Sequence, residues 1–116
     1  MQLKFLVIRT PNPETLSRFY TKLGFTFEHH RHGSGPLHYS AATASGTVIE
    51  IYPLTKSQTE ADKNLRLGFS LDHFESTIEQ LRNNGVKFVS EPAQTDFGFM
   101  AVVEDPDGRK IELLKT

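Results

Sequence analysis

The stretch ETLSRFYTKLGFTF (residues 14–27) is answered further along the chain by ESTIEQLRNNGVKF (residues 75–88). Glu14 and Glu75, Gly24 and Gly85, and Phe27 and Phe88 all lie 61 residues apart. A second echo follows with one residue of slippage, where GTVIEIY (residues 46–52) is answered by GRKIELL (residues 108–114). Identities kept in the same order and near-constant register point to duplication of one module. The expected organisation is a single domain of residues 1–116 made of two modules, 1–56 and 63–116. The polar segment around Lys56 to Asp62 joins them.

Within each copy the hydrophobic pattern reads the same way. Residues 3–8 and 67–71 are short apolar runs of strand length. Leu16, Phe19, Tyr20 and Leu23 recur at helical spacing, between an Asn12-Pro13 start and a stop at Gly24. Phe74, Ile78 and Leu81 repeat that stripe before Gly85, and Asp72 with Glu75 fits a capping box. Strands are expected over residues 25–30, 37–42 and 47–52, then 86–89, 98–103 and 110–114. Asp105-Pro106-Asp107-Gly108 is a strong turn signal. The predicted fold is α+β, two βαβββ modules building a cup-shaped, mostly antiparallel sheet with helices on one face only.

Composition narrows the function. Thirteen basic and fourteen acidic side chains leave a formal charge of −1, which gives no phosphate-binding surface, so no nucleic-acid partner is expected. The absence of cysteine removes disulfides, thiolate zinc sites and a cysteine nucleophile. No apolar run reaches membrane-spanning length, and MQLKFLVIRTPNP lacks a signal-peptide pattern. A soluble, cytoplasmic protein with no membrane partner is the expectation.

Strand alternation sorts side chains between two faces. Leu6, Ile8, Ile49, Ile51, Ile111 and Leu113 belong to the faces that bury the helices. Phe5, Val7, Arg9, Val48, Glu50 and Tyr52 fall on the opposite face in the first copy. Arg66, Gly68, Ser70, Lys110, Glu112 and Leu114 do so in the second. Repeat symmetry would gather Glu50, Glu112, Phe5 and Arg66 around one concavity, the candidate site. A carboxylate in mid-strand suits either a divalent metal ligand or an acid–base group. It equally suits a solvated strand residue, and the pattern alone leaves these alternatives open.

SRFYTKLGF, GTVIEIY and DPDGRKIELL together resemble the vicinal oxygen chelate superfamily, which includes glyoxalase I, extradiol dioxygenases and bleomycin-resistance proteins. SRFYTKLGF is one residue shorter than the family's helix motif after Ser17 and again before Leu23-Gly24, whereas DPDGRKIEL matches the closing motif closely. The resemblance implies four inward metal ligands, a His or Gln on the first strand of each module and a Glu on the last. Those positions fall on Phe5, Arg66, Glu50 and Glu112. Both carboxylates are present and both nitrogen ligands are missing. Phe5 has no donor, and Arg66 carries its own positive charge. No cofactor is expected, and a divalent metal, if any, would rest on Glu50 and Glu112. Two facing carboxylates repel, and Arg66 is expected to supply the compensating cation through charge-assisted hydrogen bonds to one or both. Arg9 matches an arginine that contacts an anionic part of substrate in glyoxalase-I-like proteins.

Among the histidines, His29, His30 and His32 lead into a Gly/Pro loop and read as a strand end rather than a metal site. His73 reads as part of the helix entrance. His38 is the histidine expected to reach the cavity, although its facing depends on the turn at residues 43–46. The leading expectation is a small-molecule-binding protein whose ligand is anionic or aromatic, held by Glu50, Glu112, Arg66, Arg9, Phe5 and His38. The competing expectations are a metal-dependent lyase, isomerase or dioxygenase that draws a ligand from His38 or water, and a regulatory dimer with a vestigial cavity. The resemblance further implies a homodimer.

Overall fold

The structure is a computed structural model that describes residues 1–31 and 33–116; His32 lies outside them. Two compact units emerge, Met1–Asp62 and Lys63–Thr116. The first runs β1 (Phe5–Thr10), α1 (Pro13–Lys22), β2 (Glu28–His30), β3 (His38–Ala42) and β4 (Val48–Pro53). The second runs β5 (Leu67–Leu71), α2 (Phe74–Asn83), β6 (Phe88–Thr95), β7 (Gly98–Glu104) and β8 (Lys110–Lys115). Both are βαβββ, and the fold is α+β. The sheets are ordered β1-β4-β3-β2 and β5-β8-β7-β6. Each is mixed: β1 pairs with β4, and β5 with β8, in parallel, and the other neighbours are antiparallel.

The helix stripes bury as their spacing requires. Leu16, Phe19, Tyr20 and Leu23 are buried in the first unit with Ile8, Ala41, Ile49 and Ile51. Phe74, Ile78 and Leu81 are buried in the second with Leu71, Ala101, Val103, Ile111 and Leu113. Each leucine, isoleucine, valine or phenylalanine among them contributes about 1.5–3 kcal/mol on leaving water. Both helices end the same way. Gly24 and Gly85 take φ of 116° and 73°, a left-handed conformation open to glycine at low cost. The next amide then reaches back five residues, Phe25 N–H to the Tyr20 carbonyl and Val86 N–H to the Leu81 carbonyl, closing each helix end.

Several boundaries differ from the sequence expectation. The first strand begins at Phe5 rather than at residue 3 and continues to Thr10, because its parallel partner β4 extends to Pro53. Only residues 28–30 of the expected 25–30 strand pair. Phe25 and Phe27 instead build an aromatic cluster, with ring centroids of Tyr20–Phe25 at 6.2 Å, Phe25–Phe27 at 5.8 Å and Phe27–Tyr39 at 6.4 Å. Strand β6 is twice the expected length. Its register shifts and Pro92 hid the alternation, and proline is tolerated there because the strand is at a sheet edge. The Asp72–Glu75 capping box does not form. His73 is the N-cap, without a side-chain cap hydrogen bond, and the Glu75 carboxylate pairs with Lys115 on β8 instead.

The turn between β7 and β8 holds a buried ion cluster. Asp105 Oδ1 accepts the amides of Asp107 (2.9 Å) and Arg109 (3.0 Å). Arg109 Nη1 donates to Asp105 Oδ2 (3.1 Å) and Asp107 Oδ2 (2.8 Å). Burial works against the Arg109 charge. The hydrogen bond to Asp107 and the charge of Asp105 outweigh it and hold the guanidinium pKa above its ordinary value. Among the described residues no helix is long and apolar enough to cross a membrane.

Candidate functional site

Register organises the helix-free face of the first sheet into three rows across the strands. One row is Phe5, Val48 and Ala42; the next is Val7, Glu50, Ser40 and Glu28; the last is Arg9, Tyr52, His38 and His30. The face therefore grades from apolar, through acidic, to cationic and aromatic. Its helix-facing side carries Leu6, Ile8, Ile49 and Ile51, as the alternation in the sequence requires.

The last row is a continuous stack. The Arg9 guanidinium carbon lies 4.9 Å from the Tyr52 ring centroid, and its Nη1 donates to the Pro53 carbonyl at 3.1 Å. On the other side of Tyr52, the His38 ring stacks at 4.2 Å with planes 7° apart. His30 meets His38 edge-on at 4.6 Å. Both faces of Tyr52 are thus covered, and side chains in this row offer edges rather than ring faces.

His38 links this row to the carboxylate. It is 1% exposed, with Nδ1 3.2 Å from the Pro36 carbonyl and Nε2 3.6 Å from Glu50 Oε2. The turn at residues 43–46 sets Ser40 opposite Glu50, which settles the facing that the sequence left open. His29 takes the other face and stacks on Tyr39 at 4.2 Å.

In the second unit, Gly68 and Val102 flank Glu112. Arg66, just before β5, brings Nε to 3.4 Å from Glu112 Oε2. This pair is open to solvent, with side chains 50% and 33% exposed. Phe5, Arg9, His38 and Glu50 are thus together on one sheet, and Arg66 and Glu112 on the other. Tyr52, not among the candidates, belongs with them. Its position two residues after Glu50 on the same strand was the available signal.

As a donor set for a divalent ion these residues do not fit. Phe5 offers no lone pair, Arg66 places a cation against Glu112, and Glu50 stands 3.6 Å from His38 Nε2. Among the described residues neither unit gathers three acidic or histidine side chains as a metal site would need.

A repeated βαβββ unit with a carboxylate at one position of each last strand defines a duplicated α+β protein. A model of the Glyoxalase/Bleomycin resistance protein/Dioxygenase superfamily matches residues 2–113, and the chain belongs to that superfamily. A curated relative, "Probable lactoylglutathione lyase" of Synechocystis sp., is 40% identical over 52 residues. That match spans 43% of this chain and 40% of the relative's length. Among solved structures, TnmS3, an antibiotic binding protein from Streptomyces sp. CB03234, aligns with a TM-score of 0.79 at 21% identity, over 99% of this chain and 95% of that one. A glyoxalase/dioxygenase from Nostoc punctiforme aligns with a TM-score of 0.78 at 19% identity, over 98% and 90%. At these identities the structures establish shared fold.

Proposed function

We propose that the protein binds a small organic molecule, anionic or aromatic in character, on the helix-free face of its first sheet and without a complete divalent-metal site. The observation that carries this reading is the graded face itself. An exposed aromatic and two valines lie beside the half-buried Glu50 carboxylate, the exposed Glu28 at the sheet edge, and a guanidinium held against Tyr52. Such a mixture of apolar surface with a few placed polar groups is what small-molecule sites share. The likeness to an antibiotic binding protein is consistent with it. Arg9 takes the anionic end of the ligand, Glu50 accepts from a donor group, and Phe5 and Val7 cover the apolar part. In the second unit Arg66 neutralises Glu112.

The short match to a protein named as a lactoylglutathione lyase favours a second reading, a metal-dependent enzyme with ligands supplied by Glu50, His38 and water. Thermal denaturation with a panel of aromatic carboxylates, alongside metal analysis of the purified protein, separates the two. A ligand that binds only the native state raises the melting temperature with concentration. The binding reading expects such a rise and no stoichiometric metal. Tightly held nickel, zinc or manganese at one per chain, with no response to the panel, would overturn it.

A further inference from the structure

The stacked row decides where a ligand ring can go. Tyr52 is enclosed between Arg9 and His38, and His38 is fully buried between Tyr52 and His30. A ligand ring therefore cannot lie flat on either. Phe5, two rows away on the same face, is 59% exposed. Its neighbours across the sheet are the small residues Val48 and Ala42, so a ring can approach Phe5 over a low apolar floor. The first-strand position that the resemblance assigns to a nitrogen ligand thus carries an accessible aromatic ring.

Strand geometry supplies a ruler. Two residues along a strand span roughly 6.7 Å, so Phe5 and Arg9 stand about 13 Å apart along β1. A carboxylate against Arg9 places the first ring of its body beside Val7 and Glu50. Only a second ring reaches Phe5.

We propose that Phe5 is the specificity-determining residue of this face, and that the ligand is an elongated aromatic carboxylate at least two rings long. The carboxylate meets the Arg9 guanidinium and the distal ring packs on Phe5. This rests on the binding reading above and adds to it a length and an orientation. Glu50 lies alongside the proximal ring, its carboxylate turned toward His38, and favours ligands that carry a hydroxyl or amine at that point. The Nη1 bond to Pro53 and the contact with Tyr52 fix the guanidinium before the ligand arrives, so less side-chain freedom is lost on binding.

Isothermal calorimetry with benzoate, biphenyl-4-carboxylate and biphenyl-4-carboxamide tests the proposal. Biphenyl-4-carboxylate should bind at least about ten-fold tighter than benzoate, as expected of one further ring packed on an aromatic. In Phe5→Ala the affinity ratio between the two carboxylates should fall toward one. Phe5 is exposed, so the variant should fold, and an unchanged melting temperature checks this. Phe5→Leu should keep only part of the advantage. Arg9→Gln should weaken both carboxylates and leave the carboxamide as it was. If the biphenyl advantage survives Phe5→Ala, or benzoate and the biphenyl bind equally, the length and orientation are wrong while the binding reading stands. If neither carboxylate binds the parent protein, both fall together.

Discussion

Replacing Arg109 with methionine should unfold the protein at markedly lower urea concentration. Methionine keeps much of the buried volume and removes the charge. The Arg109 side chain is 1% exposed and its partners Asp105 and Asp107 are 0% and 8% exposed. The variant leaves two acidic side chains in the turn that no longer meet this guanidinium, although Asp105 keeps its two backbone amide donors. Breaking a buried pair by removing one partner costs about 3–5 kcal/mol. A chain of this length has a total stability of roughly 6–17 kcal/mol. The loss is therefore a large fraction of the whole. At about 4 °C per kcal/mol for a domain of this size, the melting temperature should fall by ~12–20 °C. Equilibrium urea denaturation followed by circular dichroism measures it directly. Asp105→Asn combined with Arg109→Met should cost less than the two single changes added together, because one of the two stranded charges is gone. A loss under about 1 kcal/mol, the value of an exposed pair, would refute the reasoning. The cluster also reaches the candidate site. Asp105 N–H bonds to the Arg109 carbonyl at 2.9 Å and so fixes the β7–β8 register. A one-residue slip would turn Glu112 onto the helix-facing side.

Gly85→Ala should cost about 1–2 kcal/mol through its left-handed backbone alone, since an added Cβ meets nothing within 4 Å. Gly68→Ala is the control, with ordinary φ and a contact of 3.7 Å to Glu112 Cβ, and its urea midpoint should barely move. The hydrogen bond from Lys115, followed by smaller effects of the backbone and of the Lys115 charge, holds the Glu75 carboxyl below its usual range. A lowered folded-state pKa gives stability that is present above the unfolded value near 4.3 and lost as pH falls through the folded value. The midpoint difference between the parent and Glu75→Gln, small at pH 7 because the pair is exposed, should therefore close toward zero as pH is lowered below about 4.

The duplication made much of the fold legible, since each copy checked the other. Helix stripes and strand parity were readable because burial enforces period 3.6 and period 2. Glu50 and Glu112 do lie on the faces their alternation assigned. The parts that resisted reading are those decided by long-range partners. Residues 25–27 have strand composition, yet the aromatic rings of Tyr20 and Tyr39 draw Phe25 and Phe27 out of a ladder. Glu75 has capping-box spacing, yet Lys115, distant in sequence, offers it a full charge. Ser90, Glu91 and Pro92 break alternation because the edge strand they occupy is irregular. His38 is the instructive case in the site. Its facing was undetermined until the turn before β4 fixed which residue it opposes. Arg109 gave no hydrophobic signal, and only the closeness of two aspartates around it could have marked it as buried.

The two repeats keep a glutamate at the same place and differ in what stands against it. In the second unit that partner is Arg66, at 3.4 Å with half of its side chain in solvent. An exposed pair of this kind is worth at most about 1 kcal/mol and is screened by salt, so water or a ligand can displace it at small cost. In the first unit the neighbour is His38, 1% exposed and set between Tyr52 and His30. His38 cannot turn away from Glu50 without breaking the ring stack, and the stack in turn holds Tyr52 against Arg9. Side chains fixed in this way have little freedom left to lose, whereas the exposed Arg66–Glu112 pair can reorder. If the face binds a ligand as proposed, this rigid set fixes where the ligand's polar end sits, and Phe5 discriminates by length. The duplicated glutamate thus marks two surfaces with different physical properties, a rigid one around Glu50 and an adjustable one around Glu112.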